Sequence, residues 1–302
     1  MAKRGRSANR AGRPAAGVVE VPKGSAVNGP VEGVYYIDTG DCELIADQDN
    51  STGWLLKING VMSSHIDVAD PLFLDFEYMR WMAALIESRW PPSDASSAKL
   101  RGLHLGGGAC SLARYFSAAY PDARQVVVEL DGKLAEYVRG WFDLPKAPLL
   151  RIRVGEARAV TETLTAQTRD FIIRDVFAGA FTPRPLTTAE FTRHAKRVLA
   201  PGGLYVANSG DAPDLKNARE DAATIAAAFK HTVIIADPAM LKGRRYGNMV
   251  MAGSDVPFGD DPQLRRRLLG GAVPAHLWDD AQVRAFAAGA PVRHDPPASI
   301  AE

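Results

Sequence analysis

The sequence predicts a doubly wound α/β domain with a seven-stranded, mostly parallel sheet, preceded by a small N-terminal β unit. Two observations predict this class. From residue 100 onward, short apolar segments alternate with segments of helical periodicity, which is typical of a parallel sheet covered by helices on both faces. A triple glycine, Gly106–Gly108, directly follows the first apolar segment, as expected for a strand-to-helix turn that approaches a ligand closely.

Composition favours a globular chain. Its 302 residues are 46% hydrophobic and 24% charged, which is enough apolar material for one sizeable core and an accessory element. No apolar run is long enough to span a bilayer, and the start lacks the apolar region of a signal peptide, so we expect a cytoplasmic protein without a membrane partner. Cys42, Cys110 and the six histidines do not fall at metal-ligand spacing, so no metal is expected.

Residues 31–69 are predicted to form the small N-terminal β domain. Tyr35–Ile37 and Trp54–Ile58 have strand composition, and Asn59-Gly60 indicates a two-residue hairpin turn. The preceding residues 1–30 carry six basic side chains and one acid. We therefore expect a basic, solvated and disordered tail, with a nucleic-acid-binding arm as the alternative.

Residues 70–256 are predicted to form a nucleotide-binding domain of the doubly wound type. A helix is expected after Pro71, because apolar residues recur there at three- and four-residue spacing. Thr187 and Glu190 have capping-box spacing and predict the start of another helix. Strands are expected at 100–105, 125–130, 150–154, 171–174, 204–207, 232–235 and 248–252. Residues 257–302 are expected to be a peripheral, partly helical extension.

Acidic residues follow three of the predicted strands, at the carboxyl edge of the sheet. Glu129 comes about 20 residues after the glycines, the spacing at which a carboxylate accepts hydrogen bonds from ribose hydroxyls. Glu156 either contacts an adenine amino group or is a solvated loop residue. Asp175 lies where ligands of open sheets bind, and it is either a general base or a cap or salt-bridge partner. Asp131 either assists ribose binding or caps the following helix.

Together these residues resemble the spermidine synthase (aminopropyltransferase) family, within the wider class of S-adenosylmethionine-dependent methyltransferase folds. The resemblance covers residues 50 to 255 and depends on four segments. Leu105–Gly108 is similar to the family's glycine loop, and Val128–Asp131 is similar to its V-E-I-D strand end. Val154–Arg158 is similar to its G-D-x adenine segment, and Asp170–Asp175 to its Y-D-V-I-I-x-D strand.

The resemblance implies transfer of an aminopropyl group from decarboxylated S-adenosylmethionine to putrescine. By the same resemblance, Asp175 is the expected catalytic residue and would deprotonate the attacking amine. The expected donor-binding residues are Gly106, Gly107, Gly108, Glu129, Leu130, Asp131, Glu156 and Ala157. The family also suggests a homodimer.

The sequence departs from the family on the acceptor side. Ala109 stands where the family's G-G-G-D-G-G has its aspartate, and Ala178 stands where its D-S-x-D-P has a second acid. The family's P-T-Y-P segment has Met240 in place of the tyrosine. Asp211 is an acid that would restore diamine binding if it faced the pocket. The residues that would repel a diamine, if they faced it, are Lys242, Arg244 and Arg245.

Three functions follow from these observations. The first is a spermidine synthase-like transferase that uses decarboxylated S-adenosylmethionine and an amine. The second is an S-adenosylmethionine-dependent methyltransferase for a small acceptor, and the third is a non-catalytic nucleotide-binding protein. A nucleic-acid substrate is not expected, because the segment after Asp175 lacks the aromatic D/N-P-P-Y loop of enzymes that act on flipped bases.

Overall fold

A computed structural model describes residues 29–179 and 181–297. The predicted basic tail therefore lies outside the described residues, except for residues 29 and 30. The described chain forms two sheets, one of four strands and one of eight. Within this part of the chain, no helix is both long and apolar enough to cross a membrane.

The first sheet is an antiparallel meander in the order β1-β2-β3-β4. Its strands are β1 Gly33–Ile37, β2 Gly40–Ala46, β3 Gly53–Ile58 and β4 Val61–Asp67. Asn59 (φ 49°) and Gly60 (φ 78°) form the turn between β3 and β4. Two consecutive positive φ angles are typical of a type I′ turn, so the predicted hairpin is confirmed.

The second sheet has the order β12-β10-β11-β9-β8-β5-β6-β7. Its strands are β5 Arg101–Leu105, β6 Arg124–Glu129, β7 Leu150–Val154, β8 Arg169–Arg174, β9 Leu199–Asp211, β10 His231–Ala236, β11 Gly247–Ser254 and β12 His276–Trp278. Five adjacent strands run parallel to one another, in the order β9, β8, β5, β6 and β7. The remaining pairs are antiparallel: β9 with β11, β11 with β10, and β10 with β12. The predicted mostly parallel α/β class is confirmed.

The strand β12 was not predicted, and it raises the number of strands from seven to eight. It has only three residues, too few to give a periodic pattern. Its pairing with β10, Leu277 opposite Ile235, places part of the C-terminal extension in the sheet. The extension thus adds a strand at the edge of the sheet as well as helices, and its treatment as a separate peripheral unit stays a prediction.

Nine helices accompany the described strands. They are α1 Glu77–Arg89, α2 Ser111–Ala119, α3 Gly132–Trp141, α4 Ala157–Thr163, α5 Ala189–Val198, α6 Lys216–Ala228, α7 Pro238–Leu241, α8 Pro262–Leu269 and α9 Asp280–Ala287. The predicted capping box is wrong by one residue. Thr188, not Thr187, accepts a hydrogen bond from the Phe191 amide, and the Glu190 carboxylate instead accepts from the amide of Asp295.

The N-terminal sheet docks on the start of α2, beside the triple glycine. The Ser64 hydroxyl accepts a hydrogen bond from the Ala109 amide (3.0 Å), and Ser111 donates to the carbonyl of His65 (2.8 Å). Arg114 donates to the carbonyl of Asp67 at 2.6 Å. Because these contacts hold β4 against the glycine loop, the small sheet forms one side of the carboxyl edge of the large sheet.

The C-terminal extension is attached to the main domain by ion pairs. Arg267 of α8 lies 2.7 Å from the buried carboxylate of Glu87 on α1. Further along, Arg293 pairs with Glu220 of α6 at 2.9 Å. Asp295 pairs with Arg158 of α4 at 2.5 Å. The extension thus contacts helices on both faces of the large sheet.

Candidate active site

The glycine loop begins where β5 and β8 end side by side. Gly106 has φ +90°, and a Cβ on it would lie 2.1 Å from the Asp175 carbonyl oxygen. Only glycine permits this approach, because any other side chain would clash with the backbone of the next strand. The amide of Asp175 donates to the Leu105 carbonyl at 2.9 Å. The loop and Asp175 are therefore joined at the carboxyl edge of the sheet.

Glu129, at the end of β6, holds the same loop through its carboxylate. Its Oε2 accepts from the amides of Gly107 (3.0 Å) and Gly108 (3.1 Å), and its Oε1 accepts from the amide of Asp131 (3.0 Å). A carboxylate has about four acceptor positions. The side chain is only partly buried, so a position on Oε1 is left for a ligand hydroxyl.

Asp131 has a different environment from Glu129. It is buried, and its Oδ1 accepts from the Leu134 amide at 2.8 Å, which caps α3. Its Oδ2 accepts from the amide (2.6 Å) and hydroxyl (2.9 Å) of Thr39. Asp131 therefore has the geometry of a helix cap, one of the two alternatives that the sequence raised. Its carboxylate also connects the N-terminal sheet to α3.

Glu156 caps a helix that the sequence did not predict. Its carboxylate accepts from the amides of Arg158 (2.9 Å) and Ala159 (2.7 Å), at the start of α4. The side chain is exposed, and Ala157 beside it is buried. A short helix of seven residues escaped the sequence analysis because its apolar positions are too few to define a period.

Two exposed apolar side chains lie between Glu129 and Glu156 at the edge of the sheet. Leu130 is 60% exposed and Val154 is 55% exposed. They belong to neighbouring strand ends, because Glu129 is opposite Val154 in the β6–β7 register. Exposed apolar side chains at a sheet edge are suited to contact an apolar group such as a nucleobase.

Asp175 lies between two neutral hydrogen-bond donors. Its Oδ2 accepts from the Tyr78 hydroxyl at 3.0 Å, and its Oδ1 accepts from the Asn208 amide nitrogen at 3.0 Å. Burial raises the pKa of Asp175, although both hydrogen bonds and the nearby Arg174 oppose that shift. A carboxylate with a raised pKa is suited to accept a proton near neutral pH.

Tyr78 and Asn208 were both missed by the sequence analysis. Asn208 follows the predicted strand 204–207 directly, so its place at the carboxyl edge was a signal that could have found it. Tyr78 gave no such signal, because it lies on α1, 97 residues before Asp175. The Oδ1 atom of Asn208 is buried and has no hydrogen-bond partner among the described residues. It is therefore an acceptor beside Asp175 that no described donor satisfies.

The predicted acceptor-side residues do not gather around Asp175. A cavity that Asp175 lines is walled by residues such as Met79, His104, Cys110 and Ile173. Ala109, Ala178, Met240 and Asp211 are not among the described residues that line it. Ala109 and Met240 are buried, whereas Ala178 is exposed in a turn with Phe181.

Asp211 is fully buried, and its carboxylate is already engaged within the protein. It accepts from the amides of Ala212 (2.8 Å) and Ala218 (2.7 Å) and from the Asn217 side chain (3.2 Å). These bonds hold the start of α6 on the end of β9. A restored diamine site at Asp211 would have to compete with all three donors.

The basic residues after Met240 are exposed. Lys242, Arg244 and Arg245 all lie on the surface. Arg245 donates to Asp237 at 2.6 Å, and Asp237 in turn caps α7. The guanidinium is therefore paired, which weakens the sequence-based argument that it repels a cationic substrate. In the described part of the chain, no group of three or more His, Cys, Asp or Glu side chains is arranged to hold a metal ion.

The strand order and the glycine loop together define a class. The parallel set with an antiparallel strand, β11, inserted between β9 and β10 is the arrangement of S-adenosylmethionine-dependent methyltransferase-like folds. The structure of human methyltransferase-like protein 13 in complex with SAH superposes with a TM-score of 0.53, covering 74% of this chain and 98% of that one, at 17% identity. That likeness concerns the fold alone.

Comparison with a closer structure identifies the family. The crystal structure of a probable spermidine synthase from Corynebacterium glutamicum ATCC 13032 is 50% identical and covers 90% of this chain and 99% of that one, with a TM-score of 0.86. The chain belongs to the spermidine synthase family, as the resemblance predicted.

Curated relatives match over shorter stretches. A polyamine aminopropyltransferase from Vibrio vulnificus is 32% identical over 107 residues, which is 35% of each chain. One from Chromobacterium violaceum is 29% identical over 170 residues, 55% of this chain and 62% of that relative. The matched stretches thus span about a third and just under two thirds of those two proteins. No protein-family profile matches the chain.

Proposed function

We propose that the protein is an aminopropyltransferase that uses decarboxylated S-adenosylmethionine and an amine acceptor, with Asp175 as the base. One observation carries this proposal. The Asp175 carboxylate is oriented from both sides, by Tyr78 and Asn208, and the buried Asn208 Oδ1 beside it has no hydrogen-bond partner among residues 29–179 and 181–297. A primary amine can donate one N–H to Asn208 Oδ1 and another to Asp175, which matches both acceptors.

The donor is proposed to bind along the edge from Asp175 to Glu156. Glu129 would accept from the ribose, and the exposed Leu130 and Val154 would cover the nucleobase. Gly106–Gly108 would allow the ligand to approach the backbone. Ala157 and Glu156 would lie at the adenine end, where the Glu156 carboxylate is exposed although it caps α4. Asp131 would act indirectly, since its carboxylate is engaged with Thr39 and Leu134.

The proposed chemistry is a displacement at carbon. The amine nitrogen forms a bond to the propyl carbon that is attached to the sulfonium sulfur of the donor. That carbon–sulfur bond breaks, and its electron pair remains on sulfur as neutral methylthioadenosine leaves. Asp175 takes the proton that the amine nitrogen must lose. Tyr78 and Asn208 hold the carboxylate so that one lone pair faces the amine, which supplies orientation rather than charge.

Which amine is the acceptor, and whether the donor is decarboxylated, are separate proposals. Asp211 and Met240 do not line the small cavity at Asp175, so the proposal assigns neither of them to the acceptor. The methyltransferase and the non-catalytic alternatives gain no support from the closer relatives. A homodimer, a cytoplasmic location, the absence of a nucleic-acid substrate and the domain boundary at residue 70 stay predictions.

The test is calorimetric titration with S-adenosylmethionine, decarboxylated S-adenosylmethionine and methylthioadenosine, followed by amine addition to the tightest complex. Methylthioadenosine release with putrescine or another amine supports the proposal. Asp175→Asn should abolish release while nucleoside binding persists, and the exposed Asp122→Asn should change neither. Preference for S-adenosylmethionine without an amine response would indicate the methyltransferase. No nucleoside binding would leave the non-catalytic function.

A further inference from the structure

A buried ion pair lies directly behind Asp175. Arg174, the last residue of β8, and Asp221, in the middle of α6, are each 1% exposed. Nη1 of Arg174 donates to Oδ1 of Asp221 at 3.1 Å, and Nη2 donates to the other carboxylate oxygen. The pair is therefore bidentate, a geometry that fixes both side chains.

The same guanidinium also holds the segment that follows Asp175. Its Nη1 donates to the carbonyl of Leu186 at 2.9 Å. The connection between β8 and α5 begins at Asp175, and Leu186 lies near its end, three residues before the first residue of α5. One side chain thus links the end of the strand, the far end of the connection and helix α6. The position of Asp175 depends on all three.

Stability alone is a poor explanation for this pair. Burying two charges costs free energy that their attraction often fails to recover, so apolar residues of similar volume would serve the fold as well. The buried hydroxyl of Tyr205 also lies against this guanidinium, so the pair brings a third polar group into the interior.

Arg174 is a fixed positive charge close to Asp175. Neighbouring strand residues point to opposite faces, so Arg174 faces α6 while Asp175 faces Tyr78 and Asn208. The two other titratable residues that line the Asp175 cavity, His104 and Cys110, are neutral at pH 7, because burial lowers the pKa of His104 to about 4 and raises the pKa of Cys110 to about 12. Burial next to Asp175 also raises the pKa of Tyr78.

We propose that Arg174 and Asp221 form a positioning pair for Asp175, fixing its backbone through β8 and Leu186 and setting the charge behind its carboxylate. Neither residue touches the reacting atoms. The inference rests on the proposed function for its role in catalysis, but its effect on the Asp175 carboxylate can be measured without turnover.

The test compares the wild type with Arg174→Met/Asp221→Leu, Arg174→Lys and Asp221→Asn. The primary readout is the titration of the Asp175 carboxyl carbon by ¹³C NMR in aspartate-labelled protein, assigned with Asp175→Asn. Removing the pair should shift this titration to higher pH, because a favourable positive charge is lost. Asp221→Asn leaves that positive charge uncompensated and should shift it to lower pH. Arg174→Lys keeps the charge and should stay close to the wild type.

A matched control lies one residue away on the same helix. Glu220→Gln/Arg293→Met removes another ion pair of α6, at 2.9 Å, without changing a charge beside Asp175. It should lower the Tm and leave the titration unchanged. If every variant titrates like the control, the pair is only structural and the inference is wrong. If Arg174→Met/Asp221→Leu does not fold, Asp221→Asn, which keeps the volume, decides by the direction of its shift.

The kinetic readout separates the two proposals. If the wild type releases methylthioadenosine, the acid limb of its kcat/KM profile should move in the same directions as the NMR titration. If the wild type turns over and neither measurement moves, the positioning inference fails alone. If the titration moves but no amine gives turnover, the proposed function fails while the electrostatic role of Arg174 stands.

Discussion

The Tyr78 hydroxyl donates a hydrogen bond to the Asp175 carboxylate, with 3.0 Å between Oη and Oδ2, across 97 residues of sequence. This bond joins the first helix to the end of the central strand β8. It favours the charged form of Asp175 and so opposes the rise in its pKa that burial causes. It also orients the carboxylate of the proposed base.

Tyr78→Phe removes this bond and keeps the ring. We expect kcat/KM for aminopropyl transfer at pH 7 to fall about 10- to 100-fold, the worth of a hydrogen bond to a charged group. Because the pKa of Asp175 rises when the donor is lost, the acid limb of the pH profile should move to higher pH. The exposed Tyr36→Phe is the control. An unchanged profile for Tyr78→Phe would show that the bond has no influence on the base.

The parts of the site that the sequence predicted are those encoded by local signals. Gly106–Gly108, Glu129 and Asp175 each lie at the end of a short, mostly apolar strand, and parallel strands bring their carboxyl ends to one edge. Those positions could be placed without any contact information. The fold class, the N-terminal hairpin at Asn59-Gly60 and the family were predicted on the same kind of evidence.

What could not be predicted depends on contacts between distant residues. Tyr78 and Asn208 meet Asp175 only after α1 and β9 have packed on the sheet. Glu190 fits a capping box by spacing, yet its carboxylate goes to residues more than 100 positions later in the C-terminal extension. No local pattern indicates whether this carboxylate bonds to the start of its own helix or to the C-terminal extension, since it accepts equally well from the donors of both.

Glu129→Gln tests the ribose site. The substitution keeps one acceptor oxygen but places an NH₂ group against the amides of the glycine loop and Asp131, which the carboxylate now satisfies. We expect methylthioadenosine to bind about 10- to 100-fold more weakly by calorimetry, because charge-assisted hydrogen bonds are lost. Glu136→Gln, on the exposed face of α3, should bind normally. Equal affinity for both variants would exclude Glu129 as the ribose-binding residue.

Arg267→Met tests how the C-terminal extension is held. Arg267 is half exposed, but its partner Glu87 is 8% exposed and also accepts a hydrogen bond from the Tyr115 hydroxyl. Losing the arginine leaves a buried carboxylate without its counter-charge. We expect the free energy of unfolding in urea to fall by about 1–2 kcal/mol, between the values for exposed and buried pairs. The neighbouring Arg266→Met, which is exposed on the same helix, should have a much smaller effect.

Arg158→Met tests the pH dependence of the contact between the extension and α4. Arg158 donates to both carboxylate oxygens of Asp295, and these bonds lower the pKa of that carboxyl to about 2. A depressed pKa stabilises the fold only while the group is ionised. The stabilisation is therefore complete above the unfolded value of about 3.9 and disappears as the pH falls towards the folded value.

The wild type should accordingly be more stable than Arg158→Met at pH 6, with a difference that shrinks between pH 4 and pH 2 in urea unfolding. Arg153→Met is the matched control, because Arg153 donates to the neutral Thr163 hydroxyl at 3.4 Å rather than to a carboxylate. Its effect should not change with pH over the same range. A constant difference for Arg158→Met would mean that Asp295 does not titrate through this pair, and that the extension is held by its contacts with Glu190 and Ala189 of α5 instead.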